Sequence, residues 1–171
     1  MVPLSPLLAH PHPDRGGAAG LARVSMRSTN FRALALDLGE KRIGVAVSDA
    51  LGMVARPLEI FTRTSRKADF AHIGALVAAH QVDVIIVGLP FNMDGSEGRQ
   101  AAWVRDYGTA LAQALAVPVE FWDERLTSEE AVDILRTHGK STAKGTVDAV
   151  AAAVILQSYL DSRYSVNGFN G

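Results

Sequence analysis

The alternation of apolar and polar positions predicts a β-rich first half for the folded part of this chain. Residues 31–38 (FRALALDL) form a mainly apolar run of strand length, and a charged turn, GEKR, follows it. Residues 43–49 then carry large apolar side chains at every second position, which is typical of a strand. A third short strand is predicted at residues 56–61, after the bend at residues 51–52. These segments predict three consecutive antiparallel strands.

The second half alternates helical and strand patterns. Residues 66–80 are Ala-rich with helical spacing, and residues 82–88 (VDVIIVG) form the continuous apolar run expected of a parallel strand covered on both faces. The later elements are a helix from near Gly98, a strand at PVEFW, a helix start marked by the Thr127 and Glu130 capping-box pattern, and a buried helix from about Thr146 to Leu160. This order predicts an α/β domain with a mixed sheet.

The two ends of the chain differ from its centre. Residues 1–30 contain four prolines in their first half and a Gly/Ala patch, and their apolar run is too short for a signal peptide. We expect a disordered extension there, and Met26 lies close enough to the first strand to be an alternative start. Residues 31–162 are predicted to form the folded domain, and residues 163–171 a flexible polar tail.

Composition narrows the class of protein. With 171 residues, 48% hydrophobic and 20% charged, the chain suits one globular domain, and no apolar run reaches the length of a membrane span. We therefore expect a cytoplasmic protein with no membrane partner. The absence of cysteine excludes disulfides and thiolate chemistry. A formal charge of -1 argues against a protein that coats nucleic acid by bulk charge, but it permits a local basic groove.

Three acids occupy places where apolar residues are the usual choice. Asp37 ends the first strand, Glu124 follows the last strand, and Asp148 interrupts an apolar helix. Strand ends gather along one edge of a parallel sheet, where three bare carboxylates would repel one another. A divalent cation would remove that repulsion, and oxygen ligands favour magnesium or manganese over zinc. The three acids together predict a metal site.

Each acid also has a simpler explanation. Asp37 could cap the turn by accepting hydrogen bonds from the amides of residues 39 or 40, and Glu124 could pair with Arg125 at the surface. Asp148 could be a first-turn acid that the helix dipole favours. One metal site explains all three positions at once, whereas these alternatives explain them separately.

Several polar and basic residues are candidate nucleic-acid contacts. One group lies in the GEKR turn next to Asp37, and a second lies in the loop 89–98 and at the start of the helix that follows it. A third group lies in the DER segment and in residues 136–144, a stretch without acids. A solvated turn or loop is the competing interpretation of each group. Trp103, Tyr107 and Trp122 are predicted to belong to the core or an interface rather than to stack on bases. The candidate contacts are Lys41, Arg42, Asn92, Ser96, Arg99, Arg125, Lys140 and Lys144.

Four segments resemble the signature blocks of the YqgF/RuvX family, whose members are described as pre-16S rRNA nucleases and as Holliday junction resolvases. They are DLGEKRIGVAVSD, VGLPFNMDGSEG, DERLTSEEA and KGTVDAVAAAVILQSYL, and they occur in the family's order from about Ala33 to Leu160. The resemblance implies a ribonuclease-H-like fold, in which a five-stranded mixed sheet carries helices on both faces. It implies that Asp37, Glu124 and Asp148 are the catalytic acids.

The resemblance also implies a mechanism and a substrate class. Two Mg²⁺ or Mn²⁺ ions held by the three acids would support hydrolysis of a phosphodiester bond, leaving a 5′-phosphate. The expected substrate is the 5′ end of pre-16S rRNA, in ribosome biogenesis. The alternative is a four-way DNA junction in recombination and repair. Structured RNA or branched DNA is thus the expected partner, and the resemblance is compatible with a homodimer.

Two rival classes are weighed against the nuclease. A first strand ending in Asp-x-Gly also opens the actin/hexokinase-like ATPases, but those proteins need a second domain, for which this chain is too short. The other rival is a non-catalytic nucleic-acid-binding or transcription-linked protein with a vestigial site. The intact set of acids argues against that rival.

Overall fold

The structure is a computed structural model that describes residues 30–127, residue 133 and residues 146–167, with the backbone alone at residues 146–148 and 167. Most of the predicted N-terminal extension, Glu130 of the predicted capping box, and the basic stretch 136–144 lie outside the described residues, whereas Thr127 is the last residue of the first described segment.

The described elements follow the predicted order. Ser65 caps the first helix by accepting a hydrogen bond from the amide of Ala68, and the helix ends at Gln81, whose φ of 52° is left-handed. The last helix starts at Thr146, as predicted, but continues past Leu160 to Asn167. None of the described helices is long and apolar enough to cross a membrane. The elements are β1 (Ala33–Leu38), β2 (Arg42–Ser48), β3 (Ala55–Thr62), α1 (Arg66–His80), β4 (Val84–Leu89), α2 (Arg99–Ala114), β5 (Val119–Asp123), a 3-10 turn (Glu124–Leu126) and α3 (Thr146–Asn167).

The strands form one five-stranded sheet in the order β3-β2-β1-β4-β5. β2 pairs antiparallel with both β1 and β3, whereas β4 pairs parallel with both β1 and β5. The prediction of a mixed sheet with three antiparallel strands followed by parallel strands is confirmed. Because β4 lies between β1 and β5, the carboxyl ends of these three strands meet at one edge of the sheet.

Helices cover both faces of the sheet. On one face, Leu34 and Leu36 of β1 belong to a core that also contains residues of α1 and α2. On the other face, Ala33 and Ala35 pack in a core with α3. All residues of β2 except Arg42 are buried, because the side chains on each face of the strand meet a helical layer. The small alanines of β1 leave room for α3, which is the helix that borders the candidate site.

Candidate active site

Asp37 projects from the middle strand towards the helix α3. It lies in β1, opposite Gly44 of β2, and it is half-buried between two buried leucines, Leu36 and Leu38. Because side chains alternate along a strand, Asp37 shares its face with Ala33 and Ala35, which pack in the core with α3. A carboxylate thus continues a row of small apolar side chains at the end of the strand.

Glu124 approaches the same place from the edge strand. It begins the 3-10 turn that follows β5. Gly88 of the intervening strand β4 makes room for it, because a Cβ at that position would lie 2.7 Å from Glu124 Oε1 and 2.6 Å from Ile155 Cδ1. A glycine at the end of a strand could also serve to let a backbone amide approach a ligand. In the structure, the missing side chain instead leaves space for a carboxylate of the candidate site.

Asp37 and Glu124 line one open cleft of about 350 Å³. Its apolar wall comes from α3, through residues Ala151, Val154 and Ile155. Burial raises the pKa of the Glu124 carboxyl above its usual value, and the negative charges of Asp37 and then Asp123 raise it further. The cleft therefore brings two like-charged groups together in a partly desolvated place.

The donor set of this cleft fits a hard divalent cation. Carboxylate oxygens are the ligands that magnesium and manganese prefer, and a cation would relieve the repulsion between Asp37 and Glu124. No group of three potential metal-ligating side chains occurs among the side chains that the structure describes. The third predicted acid, Asp148, lies in the first turn of α3, where only its backbone is described. Its role stays a prediction.

The GEKR turn borders the cleft with exposed basic residues. Lys41 and Arg42 are exposed, and with Asp37, Gly39 and Glu40 they line a second concavity of about 370 Å³. Since Asp37 lines both spaces, the concavity at the turn adjoins the cleft. The structure thus brings two of the predicted nucleic-acid contacts to the side of the first acid.

Backbone hydrogen bonds and one arginine hold this turn. The amide of Gly39 donates a hydrogen bond to the carbonyl oxygen of Arg42 at 2.9 Å, so its acceptor lies within the backbone of the turn. A Cβ on Gly39 would lie 2.7 Å from that oxygen, which explains the glycine. Arg63 Nη1 donates to the carbonyl oxygens of Gly39, at 3.2 Å, and Glu40, at 2.8 Å. The turn is therefore fixed from its base.

Sequence reasoning missed Arg63 and its counter-charge. Arg63 Nε lies 3.7 Å from Oδ2 of Asp69, which is only 2% exposed. The Asp69 carboxylate also accepts hydrogen bonds from the amide of Thr64 and from the hydroxyl of Tyr107. An acid in the first turn of the Ala-rich helix α1, shortly after Arg63, was the available signal.

The loop 90–98 is organised by its own polar groups. Asn92 Nδ2 donates to Ser96 Oγ, which in turn donates to Asp94, and the amide of Gly95 donates to the carbonyl of Asn92. Gly95 has a φ of 87°, a left-handed value that favours glycine. Asn92 and Ser96 therefore shape the loop, and their predicted contact with nucleic acid stays a prediction.

The two remaining described candidates lie on either side of this loop. Arg125 forms a double hydrogen bond with Asp123, and its Cζ lies 5.2 Å from the centroid of the Phe91 ring. Arg125 therefore pairs with Asp123 and not with Glu124. Arg99 is exposed at the first position of α2. Lys140 and Lys144 lie outside the described residues.

Comparison with known proteins places these features in a family. The family model described as "RuvX: Holliday junction resolvase" matches residues 31–162. A protein of Anaeromyxobacter sp. named "Putative pre-16S rRNA nuclease" is 48% identical over 137 residues, covering 79% of this chain and all of that protein. A protein of the same name from Myxococcus xanthus is 47% identical and covers 77% of this chain and 89% of its own length.

Solved structures support the fold. RuvC of T. thermophilus, in complex with a Holliday junction substrate, superposes with a TM-score of 0.58 at 17% identity, covering 79% of this chain and 96% of RuvC. The fowlpox virus resolvase, in a complex with junction DNA, gives a TM-score of 0.51 at 12% identity, covering 78% of this chain and 99% of the resolvase. The predicted ribonuclease-H-like fold is confirmed. The extent of the family match and the identity to its relatives show that this chain belongs to the RuvX family.

Proposed function

We propose that this protein is a metal-dependent nuclease that hydrolyses phosphodiester bonds at the cleft of Asp37 and Glu124. The observation that carries the proposal is the convergence of these carboxylates, one from β1 and one from the turn after β5, on one partly desolvated cleft. A structural core would not gather like charges in this way, because their repulsion destabilises the folded state. Membership of the RuvX family supports the same conclusion.

The acids have distinct positions from which to act. Asp37 holds the centre of the site because β1 is the middle strand, and Glu124 faces it from beyond β4. Helical spacing puts position 148 on the same stripe of α3 as residues 151 and 155, both of which line the cleft, so Asp148 is the proposed third acid. Magnesium or manganese, as a pair of ions, would acidify the attacking water and stabilise the negative charge that develops on the oxygens around phosphorus.

The reaction needs no side-chain nucleophile. A water oxygen attacks phosphorus, the bond from phosphorus to the 3′ oxygen breaks, and the products are a 5′-phosphate and a 3′-hydroxyl. Lys41 and Arg42, which line the adjoining concavity, would bind neighbouring phosphates beside the cleft. The carboxylates orient the reacting centre, whereas the basic turn positions the strand.

The proposed substrate is the 5′ end of pre-16S rRNA, processed in the cytoplasm. Relatives that are 42–48% identical carry the name of a pre-16S rRNA nuclease. The second candidate is a four-way DNA junction, which the description of the matching family favours. A resolvase must cut two strands together, so this alternative also requires a homodimer.

A side-by-side cleavage assay tests the proposal. Wild-type protein and the Asp37→Asn, Glu124→Gln and Asp148→Asn variants would be incubated with Mg²⁺ or Mn²⁺ and one of three nucleic acids: a pre-16S fragment, a DNA junction and an unstructured RNA. We expect the wild type to cut the pre-16S fragment and the variants to bind it without cutting. Preferred cutting of the junction would select the alternative. Binding by the wild type without cleavage of any substrate would leave the non-catalytic interpretation.

A further inference from the structure

A third concavity, of about 260 Å³, adjoins the GEKR turn. It is lined by Glu40 of the turn, by Arg63, and by Gln100 and Trp103 in the first turns of α2. Glu40 also lines the concavity that contains Lys41 and Arg42, which in turn shares Asp37 with the catalytic cleft. Three adjoining spaces therefore lead from the acids, over the basic turn, to Trp103.

The floor of this third pocket is a planar cation against an aromatic ring. The Arg63 guanidinium carbon lies 4.5 Å from the centroid of the Trp103 ring. Its hydrogen bonds to two carbonyl oxygens of the turn and the nearby carboxylate of Asp69 fix the guanidinium in place. Flat aromatic and guanidinium surfaces are those on which proteins stack unpaired bases. Since the floor is already ordered, a base would meet little entropic cost in binding there.

The rim of the pocket adds polar groups that can distinguish bases. Glu40 is exposed and its carboxylate only accepts hydrogen bonds, whereas the Gln100 amide both donates and accepts. The two oxygens of a carboxylate are best satisfied by two adjacent N–H donors on one edge of a base. Among the four bases, only guanine presents such an edge, through N1–H and the exocyclic N2 amine. Adenine, cytosine and uracil each place an acceptor beside their donor.

We propose that the pocket of Glu40, Arg63, Gln100 and Trp103 binds an unpaired guanine base of the strand that is cut at Asp37. This inference rests on the proposed nuclease function, because it assigns the pocket to a nucleotide flanking the scissile phosphate. The backbone of that nucleotide would cross Lys41 and Arg42. The guanine must be unpaired because base pairing would occupy the edge that Glu40 contacts. Trp103, which sequence reasoning assigned to the core or an interface, contacts the core and also faces this pocket.

Binding of short oligonucleotides tests the pocket directly. Fluorescence anisotropy with the full chain would compare labelled hexauridine strands that carry one central guanine, inosine or adenine, each in RNA and DNA form. We expect the guanine strand to bind about tenfold more tightly than the adenine strand, the scale of one bidentate base contact. Inosine, which lacks the exocyclic amine, should fall between them. The RNA and DNA arms show which sugar the adjoining surface prefers.

Two matched variants separate recognition from charge. Glu40→Gln removes the carboxylate without changing its size and should abolish the preference for guanine. Glu120→Gln removes the same charge from an exposed position on β5 and should leave the preference unchanged. Both positions are exposed, and circular dichroism would check that both variants keep the fold. Equal affinity of the wild type for all three strands would overturn the proposal, as would a guanine preference that survives Glu40→Gln.

The pocket and the nuclease function can fail separately. Cleavage in the substrate panel without any guanine preference in binding would overturn the pocket and leave the nuclease intact. A guanine preference that disappears in Glu40→Gln, together with no cleavage of any substrate, would uphold the pocket and overturn the catalytic proposal.

Discussion

Gly88→Ala should disable the active site more than it destabilises the fold. The added Cβ would lie 2.6 Å from Ile155 Cδ1 and 2.7 Å from Glu124 Oε1. Carbon atoms in good contact are about 3.5–4.0 Å apart, so each neighbour must move by about 1 Å. Because Gly88 belongs to β4, an interior strand that is buried along its whole length, the strand itself cannot easily retreat. The side chains of Ile155 and Glu124 are the groups that would shift.

The expected magnitudes follow from these distances. Overpacking a core by one methyl group costs about 1–3 kcal/mol in the free energy of unfolding. For a domain of this size that corresponds to a fall in Tm of about 2–4 °C per kcal/mol. A catalytic group displaced by about 1 Å can lower the rate by about 100-fold. The rate loss should therefore be much larger than the small fraction of unfolded protein can explain.

Gly108→Ala is the matched control. Its Cβ would lie 2.6 Å from Cε1 of Phe121, so the clash is equally close but falls on an aromatic ring. Thermal unfolding and single-turnover cleavage would be measured for both variants under the same conditions. We expect similar falls in Tm, with a large loss of rate only in Gly88→Ala. Full activity in Gly88→Ala, or equal rate losses in both variants, would refute the role assigned to this glycine.

Further predictions concern the turn, the buried polar cluster and the charge of the cleft. Replacing both Lys41 and Arg42 by alanine should weaken nucleic-acid binding. The slope of log affinity against log salt concentration should fall by about 0.7–0.9 for each phosphate that the variant no longer neutralises. An unchanged slope would contradict the role of these two residues. Tyr107→Phe removes the hydroxyl that donates to the Asp69 carboxylate at 3.2 Å. It should lower the free energy of unfolding, measured in urea, by about 1.5–3 kcal/mol; an unchanged value would mean that the bond contributes nothing. In the presence of a metal chelator, Asp37→Asn should raise Tm because it removes a negative charge that repels Glu124. A lower Tm would argue that Asp37 stabilises the metal-free fold.

The order of elements was predictable because it depends on local periodicity. Buried strands with helices on both faces show as apolar runs, and residues 66–80 and 82–88 carried clear patterns of helix and strand. The end of α3 was not predictable in the same way. The sequence of α3 becomes polar after Leu160, and this change predicts that the helix ends there. The last turns of a helix can nevertheless be exposed and polar while remaining helical.

The site was only partly predictable because its supporting contacts span long distances in sequence. Asp37 and Glu124 could be found as acids at apolar boundaries, and strand order explains why they meet. The role of Gly88 depends on the neighbouring strand β5 and on α3, which no local pattern reveals. Arg63 likewise contacts a turn 23 or 24 residues earlier in the chain. Such contacts require the tertiary arrangement before they can be inferred.

Calorimetric titration of the metal-free protein with Mn²⁺ tests the central claim most directly, because it asks whether the two acids jointly hold a cation without requiring the substrate to be known. The wild type, Asp37→Asn and Glu124→Gln would be compared with Glu120→Gln, whose carboxylate lies outside the cleft. We predict that the wild type and Glu120→Gln bind Mn²⁺ with the same affinity, and that both cleft variants bind it at least about tenfold more weakly, since each removes a charged ligand. Equal Mn²⁺ binding by all four proteins would contradict the metal site.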